Sequence, residues 1–105
     1  MSPNTNYLIG RRQEYARAKH WRDCGHVVLR TAGSHGFADL ITISPAGDVQ
    51  FIQVKRCDKE AQALRLIKQF KESPPLGIRI RGSYYQRIEV YCKETKKVVS
   101  SWAQE

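Results

Sequence analysis

The run Val49-Gln50-Phe51-Ile52-Gln53-Val54-Lys55 places an amide and an ammonium group on one side of a strand-like segment. Side chains alternate along a strand, so Gln53 and Lys55 share one face while Ile52 and Val54 share the other, apolar one. An ammonium group on a central strand is costly without a partner, so an anion is expected nearby. Asp39, within Phe37-Ala38-Asp39-Leu40-Ile41, supplies one if the two segments pair through the turn Pro45-Ala46-Gly47-Asp48. Asp39 and Gln53 then lie side by side. Glu14, beside Ala18 and Trp21 in an Arg-rich helical stretch, is a second carboxylate able to join them. Such a set suits phosphodiester hydrolysis. Hard oxygen donors suit Mg²⁺, which keeps several of its waters. The ion polarises the phosphate and acidifies an attacking water, and a lysine orients that water or offsets charge growing on the phosphoryl oxygens.

Each residue also has a plainer reading. A single Asp in a strand is often structural, and a single Lys is often a solvated edge device. Glu14 can pair along its own helix with Arg11 or Arg17. The order and spacing of the four residues together favour the chemical reading.

The elements that must position them follow from periodicity. Leu8, Tyr15, Ala18 and Trp21 recur at helical spacing and predict a helix from about Tyr7 to Asp23, with Gly25 as its C-cap and Arg11, Arg12, Arg17, Lys19 and Arg22 on its outer face. Strands are expected at Val27–Arg30, Ala38–Ile43 and Val49–Lys55, the last two forming a hairpin. Asp58 is placed as N-cap of a second helix from about Lys59 to Lys71, whose Ala63, Leu66, Ile67 and Phe70 form an apolar stripe. Two further strands are expected near Leu76–Arg81 and Gln86–Cys92, and Trp102 suggests that the tail docks. The resulting order, α-β-β-β-α-β-β, is an α/β domain spanning 1–105, a mixed five-stranded sheet with helices over both faces.

This order, with Glu14 in the first helix, Val28-Leu29-Arg30-Thr31-Ala32-Gly33-Ser34, then Ala38-Asp39-Leu40-Ile41 and Phe51-Ile52-Gln53-Val54-Lys55, resembles the PD-(D/E)xK nuclease superfamily with its restriction-endonuclease-like fold. Within it the chain is similar to the archaeal-type Holliday-junction resolvases, which also occur in phages. The arginine followed by a small-Gly-Ser turn ahead of the Asp is the most specific feature, and the likeness runs to about Val90. The resemblance implies that Asp39 is the main metal ligand, that Gln53 fills the slot of the second acidic ligand, that Lys55 is the catalytic lysine and that Glu14 assists the metal. It implies that the Val54 carbonyl faces the metal and that Arg30 and Ser34 lie near the scissile phosphate. Mg²⁺, with Mn²⁺ able to substitute, a homodimer and a four-way DNA junction as substrate follow from the same resemblance. The chain departs from the family at Ala38, where the motif has Pro, and at Gln53, where it has an acid. A Gln still offers a carbonyl oxygen, but the site carries one negative charge fewer.

Composition is compatible with these expectations. Eighteen Lys and Arg against ten Asp and Glu give a formal charge of +8, which favours a polyanionic partner. Arg11, Arg12, Arg30 and Arg56, with Ser34 and His35, are the candidate DNA contacts; His35 is a candidate phosphate contact rather than a general base. His20 and His26 read as surface residues. The three cysteines, Cys24, Cys57 and Cys92, lack metal or redox spacing and read as reduced structural thiols. No run is long and apolar enough to span a bilayer, and no secretory pattern opens the chain, so a cytoplasmic protein is expected. Two other functions fit the same features: a catalytically weak or silent DNA-binding module, and another repair or recombination nuclease of the superfamily.

Overall fold

The computed structural model describes residues 5–31, 38–73 and 84–102. Helix α1 covers Thr5–Asp23. It ends where the sequence places Gly25, which adopts a φ of +89° that only glycine takes up at little cost. The His26 N–H donates to the Trp21 carbonyl at 3.0 Å and the Gly25 N–H to the Arg22 carbonyl at 2.9 Å. Those two bonds are the Schellman arrangement, and the side-chain contact that accompanies it is supplied by His26 packing edge-on against Trp21, ring centroids 4.9 Å apart. His26 is therefore half-buried rather than a surface residue, because its place in the cap turns the ring onto the helix.

Strand β1 (Val27–Arg30) pairs antiparallel with β2 (Leu40–Ile43), which forms a hairpin with β3 (Val49–Cys57). The hairpin turn closes through the Gly47 N–H on the Ser44 carbonyl, 2.9 Å, with Gly47 at φ +93°. Helix α2 (Glu60–Glu72) then carries the chain across to β4 (Tyr84–Cys92), which runs parallel to β3, as such a crossover requires. A turn at Lys93–Lys96 returns β5 (Lys97–Trp102) antiparallel to β4. The spatial order is β1-β2-β3-β4-β5, so the strand expected to carry the chemistry is the central one.

The helices cover opposite faces. Ala18 of α1 packs with Val28, Leu40, Ile52 and Val54, and Trp21 lies against them. On the other face Ala63, Ile67 and Phe70 of α2 pack with Ile88 and Val90, and Leu66, Cys57 and Val99 adjoin them. Each fully buried aliphatic residue in these layers stabilises the fold by about 1.5–3 kcal/mol. The apolar stripe expected on the second helix is thus the stripe that packs.

Several expectations need correction. The N-cap of α2 is Lys59, not Asp58. Gln62 folds back so that its Oε1 accepts the N–H groups of both Asp58 and Lys59, at 3.2 and 3.1 Å, the half of a capping box that reaches back from the first turn. Tyr15 is 47% exposed and not part of the core stripe. The last strand is Lys97–Trp102, where the sequence shows only a docking tail; its alternation is weak because an edge strand buries little. The strand expected near Leu76–Arg81 lies outside the described residues.

Candidate functional site

The C-terminal end of β1, the start of β2 and the C-terminal half of β3 meet at one end of the sheet. Here the ladder is irregular. The Asp39 N–H donates to the Ile52 carbonyl at 2.8 Å, although Ile52 is the register partner of Leu40. Two residues further along β3, the Val54 N–H is satisfied by the Asp39 carboxylate, whose Oδ2 accepts it at 2.8 Å. A side chain stands where a strand carbonyl would otherwise serve, keeping the buried backbone donor paired. Asp39 thus grips β3 on both sides of Gln53. On the strand before it, the Thr31 N–H donates to the Asp39 carbonyl at 3.0 Å and the Thr31 hydroxyl to the Ala38 carbonyl at 2.6 Å. The segment is held by its neighbours rather than by regular pairing.

Glu14 arrives from α1. Its Oε1 accepts from Nε of Arg30, the last residue of β1, at 3.2 Å, while Arg17 of its own helix turns to Glu89 instead. Burial, and then the nearby Asp39 carboxylate, push the Glu14 carboxyl above the usual range, while Arg30 pulls it back. That like-charge effect places the two carboxylates within electrostatic reach of each other. Arg30 is itself seated over the Tyr15 ring, 4.7 Å from the centroid, and Arg11 Nη2 donates to the Tyr15 hydroxyl at 3.0 Å. Tyr15 therefore serves as a rest for two guanidinium groups at the entrance to the site.

On β3, Gln50, Ile52 and Val54 are buried on the α1 side, which leaves Gln53 and Lys55 on the α2 side. Lys55 and Arg56 are exposed, as is Arg12 of α1. Ser34 and His35 lie outside the described residues. The carboxylates of Asp39 and Glu14 are the acids brought to this end of the sheet, whereas Gln53 turns its side chain to the opposite, α2 face. Both carboxylates are hard oxygen donors, and a carboxylate already holding one N–H keeps further lone pairs, the donor chemistry that Mg²⁺ accepts. Among the described residues no three His, Cys, Asp or Glu side chains come together.

A second ionic cluster escaped the sequence. Glu89, fully buried on β4, accepts from Arg17 Nε at 2.9 Å and Nη2 at 3.0 Å, from Arg87 Nε at 3.3 Å and from Trp21 Nε1 at 3.4 Å. Arg17 is therefore not on the outer face of α1. Sheet alternation held the signal: Glu89 sits between Ile88 and Val90, and in a strand covered on both faces such a residue has to be buried.

Comparison with protein-family models, with curated proteins and with solved structures finds no match for this chain.

Proposed function

We propose that the chain is a metal-dependent, structure-selective DNA endonuclease of the PD-(D/E)xK type, hydrolysing phosphodiester bonds in a branched substrate such as a four-way junction. The observation that supports this reading is that Asp39, bonded to the Val54 N–H of the central strand that bears Lys55, lies within electrostatic reach of Glu14. A divalent cation held by these carboxylates supplies Lewis acidity and a water acidified for attack. The protein's own contributions are positional. Asp39 is fixed by the Val54 N–H, so one carboxylate orientation is selected before any ligand arrives. Arg30 holds Glu14 against the site. Lys55 extends from the rigid central strand and can place its charge against a phosphoryl oxygen. The net charge of +8 supports a polyanionic substrate. By resemblance, a homodimer would nick two opposing strands and leave 5′-phosphates.

The test is cleavage of a synthetic four-way junction by wild type and Asp39→Asn, with and without Mg²⁺, beside a linear duplex. Paired nicks that need Mg²⁺, vanish in the variant and spare the duplex are the expected result. A second reading, a DNA-binding module that keeps the fold without the reaction, is favoured by the amide at Gln53. Tight junction binding without cleavage in either Mg²⁺ or Mn²⁺ would establish that reading instead.

A further inference from the structure

A cleft of about 650 Å³ opens between the end of β3 and α2, with Gly10 of α1 also on its wall. Lys55 and Arg56 line it from β3, and Gln62, Arg65 and Gln69 line it from α2. The last three recur at i, i+3 and i+7, a single stripe on the shoulder of the helix next to its packing face. Leu66, at the edge of that packing face, also lines the cleft, so the stripe is held against β3 by the core itself. Three cations face one carboxylate, Asp58. Among the described residues Lys55, Arg56 and Arg65 make no ion pair, whereas Lys19, Lys59 and Lys68 are each joined to an acid. The Gln62 Oε1 is turned to the start of α2, which leaves its NH₂ as the group able to meet a ligand. The cleft thus offers donors and positive charge, and it begins at Lys55, the lysine of the candidate site.

We propose that this cleft binds the phosphodiester backbone of the nucleic-acid strand that continues past the reacting phosphate, with Arg65 as the cation that positions it. The proposal rests on the nuclease reading for its direction and extends it to α2, an element that bears none of the expected site residues. A run of phosphates fits better than a single small anion because the cations are divided between the strand end, with Lys55 and Arg56, and the helix, with Arg65. An arginine on a rigid helix gives a phosphate two parallel hydrogen bonds in a fixed geometry.

The experiment measures binding of a fluorescent four-way junction in EDTA at several KCl concentrations, for wild type, Arg65→Glu, Arg65→Lys and Lys68→Glu. Lys68→Glu makes the same change in net charge on the same helix but away from the cleft. The expected result is binding weakened at least about tenfold in Arg65→Glu, with the salt slope reduced by about one, a smaller loss with an unchanged salt slope in Arg65→Lys, which keeps the charge but not the two parallel bonds, and a change within about twofold in Lys68→Glu. Arg65→Glu behaving like Lys68→Glu, with an unchanged salt slope, overturns the proposal. Parallel cleavage assays in Mg²⁺ keep the two readings apart. A wild type that cleaves while Arg65→Glu binds and cleaves equally well defeats the cleft and leaves the nuclease. A wild type that binds through Arg65 but never cleaves defeats the nuclease and leaves the cleft. A wild type that does not bind defeats the cleft outright.

Discussion

Two carboxylates reach into this molecule beside α1, and they are treated in opposite ways. Glu89 is fully buried and holds four donors from Arg17, Arg87 and Trp21. Glu14 is partly buried, holds Arg30 at 3.2 Å, and shares its surroundings with a second acid, Asp39. The first arrangement satisfies a charge completely and leaves it nothing further to bind. The second keeps like charges together with acceptor capacity to spare, which is costly unless a cation completes it. Saturation marks Glu89 as a structural tie between α1 and the sheet, and its absence is what singles out Glu14 and Asp39 for the proposed site.

The contrast is broken or sharpened most strongly at its centres. Asp39→Asn keeps an oxygen for the Val54 N–H but removes the charge. Junction cleavage is expected to fall on the order of a thousandfold, about 4 kcal/mol, with Tm nearly unchanged; a large drop in Tm with cleavage intact would make Asp39 structural. Glu89→Ala should do the reverse. It strands Arg17 and Arg87 in a buried setting and is expected to cost on the order of 3 kcal/mol in urea unfolding. A cost under about 1 kcal/mol would mean that the cluster is not a tie. Gln53→Glu adds a negative charge on the strand next to Asp39 and should tighten Mg²⁺ binding roughly tenfold, about 1.4 kcal/mol, as followed by calorimetry. Unchanged or weaker binding would place Gln53 out of reach of the ion.

The smallest effect concerns pH. The folded-state pKa of Glu14 is raised above its unfolded value of 4.5, chiefly by burial and then by Asp39. The proton-linked stability is therefore fully present below pH 4.5 and is lost as pH rises through the folded pKa. In metal-free buffer Glu14→Gln should be more stable than wild type at neutral pH, with the gap closing as pH falls toward 4.5. A gap that widens on acidification would show the shift to be downward.

The sequence made the packing legible where periodicity is strong. The second helix and the hairpin through Gly47 follow from spacing and turn chemistry, and the alternation of Ile52 and Val54 against Gln53 and Lys55 gives the faces of β3. It was silent where partners come from afar. The Glu14 bond to Arg30 spans sixteen residues, and the Arg17 bond to Glu89 spans seventy-two; no local pattern encodes either. The grip of Asp39 on Val54 depends on a ladder irregularity that alternation cannot foresee. The cleft along α2 depends on which shoulder of the helix faces β3, a matter of packing rather than of composition.

Central to the proposed function is that Glu14 and Asp39 form one incomplete site awaiting a divalent cation. The most direct test is Mn²⁺ binding measured by electron paramagnetic resonance in wild type, Glu14→Gln and Asp39→Asn, with unfolding curves recorded on the same samples. Saturable binding is expected in wild type, weakened at least about tenfold in both variants, with all three proteins folded. Equal binding in the three folded proteins, or none in wild type, would contradict that site.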